Sequence, residues 1–231
     1  MDKRYQKTPT LTLGGGKACA KLALVFALFA PAFGGLSLRQ QEMTGTDSRR
    51  IAKITEVGGR TRPKDLFKIY SIVRSHLHGI SESETWKLSE VIHEESSKRH
   101  LDPLLILALI QVESGFRPTA VSPMGARGMM QIMPDTGKFL AETLAGEYGF
   151  HPAAFKPESL DDPVLNLRLG IYYLHNLKKQ FEHLNHALTA YNFGPADTLN
   201  RLENNLDLSD AFATLVLDAY QRYKKTKPPV F

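Results

Sequence analysis

At 231 residues, with 42% hydrophobic and 23% charged side chains, the chain has the composition of a folded globular protein, which excludes a wholly disordered or fibrous one. Its formal net charge of +5 divides unevenly: residues 1–50 hold 8 Lys or Arg against 3 Asp or Glu, whereas residues 51–231 hold 21 of each. The body is charge-balanced, so overall basicity gives no ground for a nucleic-acid partner.

Residues 1–34 have the build of a signal peptide or retained N-terminal anchor. Lys3, Arg4, Lys7, Lys17 and Lys21 precede the nearly all-apolar residues 22–33, which are shorter than the roughly 20 residues a helix needs to cross a bilayer. Ala30-Pro31-Ala32 offers a small-residue cleavage site. The one cysteine, Cys19, would leave with a cleaved leader, and the remaining chain could form no disulfide. Gly14-Gly15-Gly16-Lys17 lacks the strand and the first half of a phosphate-loop motif and is set aside. Residues 35–63, rich in Gly, Thr, Arg and Gln, show no sustained period and read as a linker.

Helical periodicity begins at residue 64. Leu66, Ile69, Tyr70, Val73 and Leu77 fall on one face, and Ser81 with Glu84 makes a capping box that starts a second helix through Trp86, Leu88, Val91 and Ile92. These supporting helices occupy residues 64–92. Asp102-Pro103 is a cap residue with proline at the first helical position, followed by an apolar run over residues 104–110 and then Glu113, with Gly115 ending the helix. Leu, Ile and Ala on every face predict a helix buried all round.

Glu113 stands out because that buried helix delivers it. Carbonyls at a helix C-terminus and apolar surroundings both disfavour the ionised form, so the expected pKa is raised, as a general acid requires. The plain alternative is an idle, solvent-facing terminal glutamate. From Ser114 to Pro134 there is no acidic residue, and Gly115, Gly125, Gly128, Pro118 and Pro123 predict an irregular loop with at most a small hairpin. A further helix runs from Pro134 to about Ala145, and residues 146–161 read as a long loop forming part of a cleft wall. Asp162-Pro163 starts a helix to Phe181, Asn185 caps a short one ending at Tyr191, and Gly194-Pro195 breaks it. The last helix runs from about Ser209 to Tyr223, and Arg222, Lys224, Lys225 and Lys227 read as its solvated end. His93, His100, His183 and His186 are too loosely spaced to argue a metal site. The chain is expected to be all-α.

Three motifs in order resemble the soluble lytic transglycosylase (SLT) family. They are Glu113-Ser114; Ser122-Pro123-Met124-Gly125-Ala126-Arg127-Gly128-Met129-Met130-Gln131 with Ile132-Met133-Pro134 after it; and Ala190-Tyr191-Asn192-Phe193-Gly194-Pro195. Asn166 and Gly170-Ile171-Tyr172-Tyr173-Leu174 resemble the intervening helix. The likeness covers about residues 93–199 and implies a lysozyme-like (goose-type) helical catalytic domain over 93–205, with a C-terminal helix and tail over 206–231.

The resemblance implies a peptidoglycan lytic transglycosylase, exported to the bacterial periplasm or envelope, acting on glycan strands with neither cofactor nor metal. A membrane tether would come from the N-terminal segment, and protein partners stay unnamed. Glu113 matches the single catalytic acid, which protonates the oxygen between N-acetylmuramic acid and N-acetylglucosamine and later acts as base, leaving a 1,6-anhydro sugar. Tyr191 matches a tyrosine whose hydroxyl lies near the acid, its alternative being a core aromatic with a satisfied hydroxyl. Gln131, Ser114 and Met130 match saccharide-cleft positions, Met130 doubling as core filler. Asn192 also matches the cleft, where holding backbone is preferred over binding sugar. Met129 replaces the usual leucine at little cost, and Phe193 replaces a small residue and bears on subsite preference. Two other readings remain: a hydrolase using Asp135 or Asp161 as a second carboxylate, and an exported non-catalytic glycan-binding module.

Overall fold

The computed structural model describes residues 64–226. The expected leader with Cys19, the linker of residues 35–63 and Lys227 lie outside the described residues. Regular structure within them is helical: α1 (Lys64–His76), α2 (Glu82–Lys98), α3 (Pro103–Glu113), α4 (Pro134–Thr143), α5 (Ala145–Tyr148), α6 (Pro163–Gln180), α7 (Leu184–Phe193), α8 (Pro195–Glu203) and α9 (Ala211–Lys225), with 3-10 turns at Pro152–Ala154 and Pro157–Asp161.

Local chemistry sets most of these boundaries. The Ser81 hydroxyl accepts the Glu84 amide at 3.1 Å while the Ser81 amide donates to the Glu84 carboxylate at 2.9 Å, closing the capping box of α2. The Ser81 hydroxyl, which also donates to the Glu84 carboxylate at 2.7 Å, and then the Ser81 amide hold that carboxyl below its ordinary range. Asp102 accepts from the Leu104 amide at 2.8 Å and Asp162 from the Leu165 amide at 2.9 Å, each ahead of a proline that starts α3 and α6.

Two expectations need correction. Asn185 does not cap α7: the helix starts at Leu184, with His183 in the cap position and no side-chain cap bond. Leu184 is partly buried against the core, a tertiary contact of the kind that overrides local capping preference. Second, Gly194-Pro195 ends one helix and begins another. Gly194 adopts φ 97°, which a Cβ would resist, and Pro195 then occupies the first position of α8, absent from the sequence expectation. The expected hairpin survives as isolated bridges joining Val121 to Arg127 and Arg127 to Ile132.

Helix α3 is the axis of the core. Residues 105–110 are buried without a break, and α1, α2 and α9 pack against it. Helix α6 lies on α2 and α7, and α7 on α8 and α9. One large apolar cluster extends from Ile69 to Ala219, and a smaller one joins Leu66, Tyr70 and Trp86 between α1 and α2. A continuous apolar helix invites a membrane reading, but at 11 residues α3 rises only about 16 Å. No described helix is long and apolar enough to cross a membrane. Arg222, Lys224 and Lys225 sit exposed in the last turn of α9, where they oppose its carbonyl end.

Candidate active site

Glu113 is the last residue of α3 and, like Gln111 and Val112, is half-buried, in contrast to the buried run of residues 105–110. Two successive residues with positive φ, Gly115 at 60° and Phe116 at 65°, then turn the chain sharply away. A phenylalanine there is strained backbone, held in place because its ring is only 1% exposed. The carboxylate is thereby set at the rim of the core by a turn that packing determines.

Facing this turn is the loop of residues 127–131. Its four successive carbonyls at 127–130 each accept a side-chain hydrogen bond: Arg127 from Asn166 Nδ2 at 2.9 Å, Gly128 from Gln131 Nε2 at 2.8 Å, Met129 from Ser114 Oγ at 2.7 Å and Met130 from Tyr191 Oη at 2.9 Å. Asn166 adds a bond to the Leu160 carbonyl at 3.0 Å and accepts the Met130 amide at 2.8 Å. The Arg127 and Gly128 carbonyls also accept the Ile132 and Gln131 amides, so local backbone pairing is reinforced by side chains from α6, α7, the residue after α3 and the loop itself. Arg127 forms a two-pronged pair with Asp161, Nε to Oδ1 at 3.1 Å and Nη2 to Oδ2 at 2.7 Å, fastening the loop to the turn before α6.

Four of the residues singled out in the sequence therefore meet at one place. Ser114 is 4% exposed and ties Glu113's helix to the loop through Met129. Gln131, at φ 49° and 5% exposed, bonds both Gly128 and Ala120 carbonyls through its amide nitrogen. Met130 is fully buried, and a Cβ added at Gly170 would lie 2.5 Å from its sulfur, so a glycine in α6 makes room for it. Tyr191 is buried with its ring 5.2 Å from that of Tyr173.

The Tyr191 hydroxyl is pushed well above the ordinary phenol range, chiefly by burial and then by the nearby Glu113 charge, with Tyr173 adding a smaller effect. It therefore stays protonated, donates to Met130, and keeps oxygen lone pairs within the field of Glu113. Burial likewise pushes Tyr173 up to about 12. Asn192, beside Tyr191, is buried and its Nδ2 has no hydrogen-bond partner among the described residues. Phe193 ends α7 half-exposed.

Both candidate second carboxylates are accounted for otherwise. Asp161 is engaged by Arg127, and Asp135 is exposed in the first turn of α4. Among the described residues no group of three His, Cys, Asp or Glu side chains is placed to hold a metal ion. Sequence reasoning named Asn166 only as part of a resemblance and gave it no role; an Asn lying between Leu165 and Leu167 in an apolar helix was the available signal.

Tyr191→Phe should keep the ring packing and lose the bond to Met130. The expected cost is about 1–3 kcal/mol, because a buried carbonyl is left unsatisfied. A thermal melt should show the midpoint several degrees lower, and an unchanged midpoint would mean the loop does not depend on this bond.

The arrangement defines a class: a helical protein that presents one carboxylate opposite a loop pinned by polar side chains. The structure shares its fold with the 70 kDa soluble lytic transglycosylase SLT70 from Escherichia coli, with a TM-score of 0.50 at 21% identity over 81% of this chain and 32% of that one. The Transglycosylase SLT domain family matches residues 90–211, more than half of the chain, and the chain belongs to that family. Two curated relatives are a soluble lytic murein transglycosylase of Escherichia coli (strain K12), 28% identical over 152 residues, and membrane-bound lytic murein transglycosylase C of Haemophilus influenzae (strain PittEE), 29% identical over 131 residues. The alignments cover 58% and 53% of this chain but only 23% and 36% of those proteins.

Proposed function

We propose that the protein is a lytic transglycosylase of the bacterial cell envelope that cleaves the β-1,4 bond between N-acetylmuramic acid and N-acetylglucosamine. The observation that carries this reading is one carboxylate, Glu113, held at the end of the buried helix with the Tyr191 hydroxyl in its field, while Asp161 is committed to Arg127 and Asp135 is exposed. Glycosidases that use water or an enzyme nucleophile need two carboxylates flanking the bond. A single one suits a reaction in which the substrate supplies the rest.

Protonated Glu113 gives its proton to the bridging oxygen as the bond from that oxygen to the muramoyl C1 breaks. The muramoyl 2-acetamido group stabilises the positive centre at C1. The ionised Glu113 then takes the proton of the muramoyl 6-hydroxyl, whose oxygen bonds C1 and closes the 1,6-anhydro ring. The proton returns to Glu113, and no water is consumed. Tyr191 supports the acid, Gln131 shapes the saccharide cleft, Asn192 offers its amide to the substrate, and Ser114 and Met130 serve by holding the loop. The names of the murein-cleaving relatives and the export-type leader agree with an envelope location, the leader supplying any tether.

Mass spectrometry of sugars released from purified peptidoglycan tests the reading. Muropeptides ending in anhydromuramic acid, lighter by one water than reducing ends, are expected. Reducing ends would make the protein a hydrolase, and no release from an intact, folded protein would leave a binding module.

A further inference from the structure

Helix α1 ends against Phe116, and Tyr223 near the end of α9 reaches Gln111, so the two helices meet the chain on either side of Glu113 in sequence. His76, the last residue of α1, packs its ring against that of Phe116, tilted at 34° with centroids 4.5 Å apart. Tyr223, in the last turns of α9, brings its hydroxyl to 3.3 Å from His76 Nε2 and 3.3 Å from Gln111 Oε1. The two rings meet edge to face at 6.1 Å. His76 Nδ1 lies 2.9 Å from the Ile72 carbonyl, so the proton on that nitrogen points back into α1 and Nε2 is left to accept from Tyr223. The Tyr223 hydroxyl is thus shared between an acceptor on α1 and one on α3.

Both contacts bear on the acid. Gln111 precedes Glu113 by two residues, and its carbonyl accepts the Gly115 amide at 3.1 Å, the bond that closes the turn after the helix. Phe116 is the strained residue at the far end of that turn. The turn carrying Glu113 is gripped on one side through Gln111 and on the other through Phe116, by residues that both fall outside the family's matched residues 90–211. At 3.3 Å the hydroxyl contacts are long and add little stability, so the role open to them is registry of the last turn of α3.

We propose that His76 and Tyr223 are positioning residues for the catalytic turn, holding Glu113 in line through Phe116 and Gln111. This rests on the reading of Glu113 as the acid. Neither residue touches the reacting atoms, and the role is one that the supporting helices at the two ends of the described chain perform together.

The test is steady-state cleavage of a soluble glycan-strand substrate by the full chain, with Tyr223→Phe, Gln111→Met and the double variant beside Glu113→Gln. The two single substitutions keep volume and remove only the polar contact. Each is expected to lower kcat about five- to tenfold, with KM within twofold and a melting midpoint within a few degrees of the parent. The double variant should fall no further than the worse single, because both break one shared contact. His76→Phe, which retains the ring contact with Phe116 and removes Nε2, should match Tyr223→Phe. Parental kcat in all of them, a loss expressed in KM, or unfolding of both single variants would overturn the proposal while leaving the function intact. Activity persisting in Glu113→Gln would instead remove the reading on which it rests.

Discussion

Glu113→Gln should abolish peptidoglycan cleavage. The amide has the shape of the acid and no proton to give at neutral pH, so a general acid's whole contribution is removed, about 10²–10⁴-fold. In the proposed mechanism Glu113 acts a second time, as base for the 6-hydroxyl, which places the expected loss at the upper end of that range, about 5 kcal/mol of barrier. Stability should hardly change. The residue is half-buried at a helix end, where the carbonyls of the last turn favour a neutral side chain at least as well as a charged one. Sedimentation with insoluble peptidoglycan, run beside the activity assay, separates the step: binding retained with cleavage lost identifies the acid, whereas cleavage retained removes Glu113 from the mechanism.

Gly128→Ala is expected to be the most damaging single change to the site's architecture. A Cβ there would lie 2.2 Å from Asn166 Nδ2, 2.5 Å from Asn166 Cγ and 2.5 Å from the Leu160 carbonyl oxygen. None of these can yield cheaply: Asn166 is fully buried and makes three hydrogen bonds, and Leu160 contributes backbone. The φ of 79° adds backbone strain for any residue with a side chain. Overpacking and strain together should cost about 3–5 kcal/mol. For a protein of this size that corresponds to a melting midpoint lower by about 6–20 °C. Activity should fall with it even where the fold survives, because relieving the clash displaces the carbonyls that Asn166 and Gln131 hold. Gly125→Ala is the control: it shares a positive φ of 84° but meets no atom within 4 Å, so it should cost far less.

Helix starts that combine an acidic cap with proline were readable from the residues alone, because Asp102-Pro103 and Asp162-Pro163 act through bonds only two or three residues long. Helix α8 was not, since Gly194-Pro195 is as good a start as a stop and only the packing of residues 195–203 decides between them. The position of Glu113 followed from an apolar run that had to be buried. The grip on residues 127–130 did not follow, because every residue carries a carbonyl and nothing local says which will be left for a side chain. The Arg127 to Asp161 pair spans 34 residues and leaves no trace in either neighbourhood. Tyr191 could be read as core or as site, and the structure gives it features of both: a buried ring, a satisfied hydroxyl and an electrostatic link to Glu113.

The pinned loop also bears on how the site comes into being. Its carbonyls are held across sequence separations of 15 residues for Ser114, 39 for Asn166 and 61 for Tyr191. Contacts of that range form only after the intervening chain has closed, so the loop can order no earlier than the docking of α6 and α7 onto α3. Under the proposed function, cleaving competence is then acquired late: a nascent or nicked chain that has lost α7 keeps Glu113 but has no pinned loop opposite it, so the proposed activity would stay silent until the whole body has assembled.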